Sequence, residues 1–289
     1  ARTADRPLRL ETPLTPAHDV KEYSTMVETA KHHILEGDIF QVVLSNPLTA
    51  KATGSLFDVY RTLRILNPSP YMFYFTSNKM EMAGASPETL AKLEDSTLYT
   101  FPLAGTRPRG KNTIEDKELE RDLLSDEKEL AEHNMLVDLG RNDLGKISQI
   151  GTVKVDRYLD ILRFSHVMHI GSTVEGQIRK DKDAVDAIDA VLPAGTLSGA
   201  PKFKACQIIE EQESRKRGVY GGAIGYLDFS GNMDTCIGIR LAYKKNGILC
   251  VQSGAGIVAD SQPEKEYQEC MNKAKAMVTA IKTAEGGLA

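Results

Sequence analysis

The sequence predicts an α+β fold: two mainly antiparallel sheets packed together, with helices on the outside. Three observations predict it. Strand-like runs come in hairpins, joined by turns such as Ser230-Gly231-Asn232 and Asn246-Gly247. Helical spacing comes in blocks, without the strand–helix alternation of a doubly wound sheet. No linker-like gap interrupts the chain after residue 18, so 19–289 reads as one large domain. Residues 1–18, broken by Pro7, Pro13 and Pro16 and without periodicity, read as an arm or linker remnant.

Each element follows from its own pattern. Over 20–36, Tyr23, Met26, Val27, Ala30, Ile34 and Leu35 recur at helical spacing, and Gly37 ends the run. Residues 39–44 are β-rich and apolar, as in a buried strand. A second helix spans 56–65 and stops ahead of Asn67-Pro68-Ser69-Pro70. Strands follow at 71–76 and near 80–83, then Ala85-Ser86-Pro87-Glu88, then strands up to Phe101. Pro102-Leu103-Ala104-Gly105-Thr106 reads as a turn. Helical spacing covers 113–139, with Ser125-Asp126 heading an acidic turn. Strands are expected at 151–161 and 164–174, and helices on either side of 193–201. The end is a meander of 222–227, 235–243 and 248–252. The last helix runs over 263–284. Asp260 and Ser261 are capping types there, and Pro263 suits the first turn.

Composition narrows the class of function. The 289 residues are 41% hydrophobic with a net charge of -4, enough for a large core. Slight acidity with mixed signs argues against a dedicated nucleic-acid or membrane-surface binder. No apolar run reaches membrane-spanning length, and the first residues lack a signal-peptide core. Cys206, Cys236, Cys250 and Cys270 show no CxxC spacing, which suits reduced core thiols in a cytoplasmic protein.

Several groups could do chemistry. Glu266, Glu269 and Lys273 share one face of the last helix, and Glu129 and Glu132 share a face of an earlier one. Each pair alone is an ordinary solvated helix face. Together they suit a hard cation, magnesium-like, held by a few carboxylates and water. His133 stands beside the second pair, with no zinc-type ligand set around it. The small residues Gly254-Ala255-Gly256 let a ligand approach the backbone. On a continuous strand 235–243, Arg240 shares a face with Cys236, Gly238 and Ala242, leaving room for a guanidinium to grip a carboxylate. The Gly195–Lys202 run offers backbone N–H groups to an anion, or simply caps a helix. His166 and His169 face opposite ways on a strand, and either could move a proton. Glu88 is a strand–turn carboxyl able to act as an acid, or a helix N-terminal glutamate. Spacing alone names anionic-ligand chemistry with a divalent ion and no particular reaction.

The ordered set of motifs resembles the chorismate-utilising enzymes, in particular the catalytic region of the anthranilate synthase large subunit, component I. The set runs from Gly37-Asp38-Ile39-Phe40-Gln41-Val42-Val43-Leu44-Ser45 through Ala85-Ser86-Pro87-Glu88 and Pro102-Leu103-Ala104-Gly105-Thr106. It continues with Lys128-Glu129-Leu130-Ala131-Glu132-His133, Asp138-Leu139-Gly140-Arg141-Asn142-Asp143-Leu144-Gly145 and His166-Val167-Met168-His169. Residues 193–202, Gly254-Ala255-Gly256 and 266–273 complete it.

The resemblance implies a chorismate-binding fold and roles at matching positions. Glu129, Glu132, Glu266 and Glu269 correspond to the shell of a magnesium ion that also meets the ring carboxylate of chorismate. Tyr220, Arg240, Gly254, Ala255, Gly256 and Lys273 correspond to holders of the enolpyruvyl carboxylate, and Thr196 to a residue of the ring site. Glu88 would protonate the departing C4 hydroxyl while ammonia attacks C2, and His169 would assist the elimination of pyruvate. Gln41 stands where water-adding relatives carry a lysine base. Ala104, beside Gly105 and Thr106, stands where aminodeoxychorismate synthases carry a nucleophilic lysine. The product implied is anthranilate, with ammonia delivered by a glutamine amidotransferase subunit. An enzyme stopping at 2-amino-2-deoxyisochorismate shares most of this shell. Asn67, Pro70, Tyr71 and Met72 resemble half of the family's tryptophan feedback site. Large subunits carry a long region ahead of the first helix, so the chain reads as a trimmed catalytic fragment. Such a fragment could also be a ligand-binding or docking module without turnover.

Overall fold

The computed structural model describes residues 6–164 and 167–286; His166 lies outside the described residues. The sequence reading expects one domain from residue 19. The chain instead divides into two compact units. The first takes Ala1–Pro87, Thr196–Gly222 and Ile237–Ala289, and the second Glu88–Gly195 and Ala223–Cys236. Elements are numbered along the whole chain.

The first unit is built on an antiparallel sheet. Its strands are β1 (Arg9–Leu10), β2 (Thr15–Pro16), β3 (Gln41–Thr53), β4 (Tyr71–Thr76), β5 (Met80–Ser86), β11 (Gly199–Ala200), β14 (Leu241–Lys245) and β15 (Ile248–Ile257). The order is β1-β3-β15-β14-β5-β4, with β2 and β11 also on β3. Its helices are α1 (Val20–Leu35), α2 (Phe57–Leu66), α6 (Lys202–Gln212) and α7 (Pro263–Ala284). The long β3–β15 ladder, from Lys51↔Ile248 to Val42↔Ile257, sets which side chains share a face. Val42, Leu44, Leu48 and Ala52 point one way with Leu249, Val251, Ala255 and Ile257, into cores shared with the helices. Tyr23 of α1 is buried there and donates its hydroxyl to the Leu44 carbonyl at 2.9 Å. Gln41, Val43, Ser45, Gln252, Gly254 and Gly256 therefore belong to the opposite face.

The expected arm is part of this sheet. β1 and β2 pair with β3, and Leu8 is fully buried in the α2/α7 core. Side-chain spacing could not show this, because β3 supplies the hydrogen bonds. α1 starts in a capping box, Glu22 N–H to Asp19 at 2.9 Å and Asp19 N–H to Glu22 at 3.0 Å, worth about 1 kcal/mol. α7 begins at Pro263 as expected, but its N-cap is Gln262 without a side-chain bond. Ser261 instead accepts from the Val258 N–H at 3.1 Å.

The second unit carries its own antiparallel sheet. Its strands are β6 (Thr89–Glu94), β7 (Thr97–Thr100), β8 (Leu103–Pro108), β9 (Lys154–Arg163), β10 (Val167–Gln177), β12 (Ala223–Leu227) and β13 (Met233–Ile237). The order is β12-β13-β6-β7-β10-β8, and β9 also pairs with β10. α3 (Thr113–Ser125), α4 (Glu127–Gly145) and α5 (Ala184–Val191) complete the unit. The helical block expected over 113–139 is two helices. Asp126 leaves helical geometry and caps α4, accepting from the Lys128 and Glu129 N–H groups at 3.1 and 3.2 Å.

Two expectations fail on backbone geometry. Residues 102–106 are not a turn: Leu103–Pro108 is a strand on β10, with a register shift opposite Met168/Ile170 and Gly105 at φ 68°. The strand expected over 235–243 breaks into β13 and β14, and Arg240 between them has φ 52°. The shared face argued for Cys236, Gly238, Arg240 and Ala242 therefore does not exist. All four cysteines are free thiols, three of them buried.

Candidate active site

In the first unit, the sheet face turned away from α1 and α7 carries Gln41, Gly254 and Gly256. Gly254 and Gly256 leave room that other groups fill. A methyl group on Gly254 would meet the Leu44 carbonyl oxygen at 2.7 Å and the Tyr220 hydroxyl at 3.0 Å. One on Gly256 would sit 2.7 Å from Gln41 Nε2. Ala255 between them faces the core instead. Gln41 is 5% exposed, and its buried Oε1 has no hydrogen-bond partner among the described residues. A buried carbonyl oxygen left unpaired is costly, so this atom is poised for a donor. Tyr220 is also 5% exposed, and burial pushes its hydroxyl pKa up.

Arg240 is half-buried and donates from Nη1 to the Lys273 carbonyl at 3.2 Å. No carboxylate pairs with it among the described residues, and burial lowers its pKa. A desolvated guanidinium without a counter-ion suits a carboxylate ligand. The Lys273 ammonium is occupied, 2.7 Å from Glu269. Thr196 lies in the short 3-10 turn Gly195–Leu197 ahead of β11. Asn67 closes α2, Pro70 precedes β4, and Tyr71 and Met72 open that strand opposite Ser86 and Ala85.

In the second unit, the β8 bulge holds the His169 imidazole. His169 Nδ1 lies 2.8 Å from the Gly105 carbonyl and 3.0 Å from Thr106 Oγ1. A carbonyl can only accept, so Nδ1 carries the hydrogen and Nε2 is left to take a proton. Phe164 meets the imidazole edge-on at 5.6 Å. Glu129 reaches the same bulge: its Oε2 lies 3.4 Å from where a Gly105 methyl would stand. Ala104 pairs with Ile170 in the β8–β10 ladder. Glu88 follows Pro87 and immediately precedes β6, so it lies at the strand junction and begins no helix.

The carboxylate pairs keep the expected faces. Glu129 and Glu132 are half-buried on α4, while on α7 Glu266 is half-buried and Glu269 exposed. Arg107 Nη1 stands 3.5 Å from Glu129, but its shorter bonds go to Asp122 at 2.6 Å and Asp126 at 2.8 Å. Among the described residues no group of three or more His, Cys, Asp or Glu is gathered so as to hold a metal. Each helix presents a pair. Carboxylate oxygens alone, with places left for water, are a donor set of the kind magnesium takes, and each pair fits it as a partial shell.

The family comparison decides what this collection belongs to. Residues 3–279 match the family described as chorismate binding enzyme. The chain belongs to that family. Anthranilate synthase component 1 from Acetivibrio thermocellus is 54% identical over 264 residues, covering 91% of this chain and 53% of that protein. The chain spans about half the length of the curated relatives it matches. A crystal structure of anthranilate synthase component I from Streptococcus pneumoniae TIGR4 matches with a TM-score of 0.84 at 48% identity, covering 93% of this chain and 60% of that one. The menaquinone-specific isochorismate synthase of Escherichia coli matches with a TM-score of 0.85 at 27% identity, covering 97% and 65%. The two antiparallel sheets with helices are thus the fold of chorismate-binding enzymes. No described helix is long and apolar enough to cross a membrane.

Sequence reasoning missed the groups behind the site. Glu213 and Arg217 sit in the charged run Glu213-Ser214-Arg215-Lys216-Arg217, which reads as solvated. Both are largely withdrawn from water. Ser172 was also missed; its Oγ lies 2.7 Å from Nε2 of the fully buried His133. Only strand pairing reveals these partners.

Proposed function

We propose that this chain converts chorismate and ammonia to anthranilate, pyruvate and water, as the chorismate-processing part of an anthranilate synthase in tryptophan biosynthesis. The observation that carries the reading is Gln41: a neutral carboxamide, buried, with Nε2 against Gly256 and Oε1 unpartnered among the described residues. A carboxamide orients a nucleophile by accepting its hydrogen, but it does not deprotonate water. The nucleophile must therefore arrive competent, as ammonia does. Ala104 offers no nucleophile of its own.

Arg240, Tyr220 and the Gly254–Gly256 backbone bind the enolpyruvyl carboxylate, with Lys273 close to them in charge. Thr196 lines the ring. Glu88 gives its proton to the C4 hydroxyl as that bond breaks, since hydroxide is a poor leaving group. His169 Nε2 then takes the proton lost from C2 as pyruvate departs and the ring becomes aromatic. Glu129 and Glu132 on α4 are one carboxylate pair that would help hold magnesium, and Glu266 and Glu269 on α7 are another. When bound, the ion would stabilise charge drawn into the ring carboxylate.

The relatives' name, component 1, supports a partner second component, a glutamine amidotransferase supplying ammonia. The test is omission. Chorismate should be consumed only when magnesium and ammonium are both present, and glutamine should not replace ammonium without the partner. Consumption that survives chelation and the absence of ammonium would overturn the reading. Binding without consumption would favour a docking or ligand-binding fragment.

A further inference from the structure

Three parts of the first unit that carry expected substrate residues converge on one side chain. Arg217 donates from Nη2 to the Val43 carbonyl at 2.7 Å, on the strand that presents Gln41. Its Nη1 donates to the Leu197 carbonyl, next to Thr196. Its guanidinium lies 5.7 Å from the centre of the Tyr220 ring. Glu213 fixes the fork from behind, accepting from Nε at 2.9 Å and Nη2 at 2.5 Å. Glu213 is itself tied to β3, accepting from the Ser45 N–H at 2.8 Å and hydroxyl at 2.9 Å, and Ser45 Oγ accepts from Gln252 at 2.7 Å. The Glu213 side chain is 6% exposed and that of Arg217 17%.

We propose that Arg217 is a positioning residue for chorismate, locking the Gln41 strand, the Thr196 turn and the Tyr220 ring into one arrangement. The inference rests on the function proposed above and extends it to a residue that touches no substrate. A buried ion pair is a poor stabiliser compared with apolar packing of the same volume. What the planar fork supplies is direction: it reaches two carbonyls and a carboxylate at once while lying over a ring, which an ammonium cannot do. Burial alone would lower the Arg217 pKa, but the Glu213 carboxylate holds it up, so the fork stays charged.

The experiment compares the unmodified chain with Arg217→Lys and Glu213→Gln in chorismate kinetics with saturating magnesium and ammonium, alongside thermal melting. Arg217→Lys keeps the charge and loses the fork. Its KM for chorismate should rise about tenfold or more, the scale of one lost charge-assisted hydrogen bond, while kcat stays within about threefold. Glu213→Gln should raise KM less, in the same direction. A lowered Tm with KM unchanged in both variants would mean a purely structural pair and would overturn the proposal. If Arg217→Lys does not fold, an unchanged KM in Glu213→Gln overturns it alone. An unmodified chain that leaves chorismate untouched defeats the function itself. An active chain with unaffected variants defeats only the role of Arg217.

Discussion

Gln41 lies over Gly256 so closely that a methyl group there would stand 2.7 Å from its Nε2. The clash is with the far end of a flexible side chain, so it can be relieved by swinging Gln41 away. Gly256→Ala should therefore fold with little change in Tm and lose most of its ammonia-dependent turnover. Gly254→Ala should differ, because its methyl would meet the Leu44 backbone carbonyl at 2.7 Å. Relief there needs strand movement, costing about 1–3 kcal/mol. Melting curves beside initial rates separate the two. Equal activity loss with equal destabilisation would contradict the distinction.

Arg240 gives a stability test of a binding residue. It is a partly buried cation that donates to the Lys273 carbonyl at 3.2 Å. Arg240→Met should leave Tm unchanged or raised, because a desolvated unpaired charge is removed. Chorismate affinity should fall roughly 10- to 100-fold, the scale of lost hydrogen bonds to a charged group. Calorimetric titration and melting check both halves. A large drop in Tm would assign Arg240 a structural role.

His133 predicts a pH dependence. Burial pulls its pKa down from 6.5 to about 4. The unfolded chain then binds the proton more readily than the folded one between those values. This contribution to stability is complete above pH 6.5 and is lost as pH falls towards 4. Its size is on the order of 3 kcal/mol. In denaturant unfolding across this range, His133→Gln should flatten the slope relative to the unmodified chain. An unchanged slope would contradict the buried neutral state.

The legibility of the sequence followed locality. The limits of α7 could be read from Pro263 and the apolar stripe through Cys270, Ala274 and Met277, because a helix carries its own hydrogen bonds. Asp126 as a cap was readable for the same reason, although the break it makes between α3 and α4 was not. Gly105 misled: a left-handed glycine after proline signals a turn, yet β10, some sixty residues on, turns the segment into a bulged strand. Arg240 misled in the opposite sense, since its β-rich neighbours hide a backbone reversal at φ 52°. The glutamate pairs and the Gly254–Gly256 run were singled out by their spacing and size, whereas Gln41 and Tyr220 were singled out through family resemblance. The Arg217–Glu213 fork carries no local signal, because charge runs look solvated until non-local strands cover them.

The central claim is that this chain makes an aromatic product by adding ammonia and expelling pyruvate. Incubating it with chorismate, magnesium and ammonium, and measuring anthranilate and pyruvate together, tests this most directly. The account predicts both products in equal amounts, accumulating as chorismate disappears. Chorismate lost to isochorismate or 2-amino-2-deoxyisochorismate, with the enolpyruvyl group retained and no pyruvate released, would contradict it.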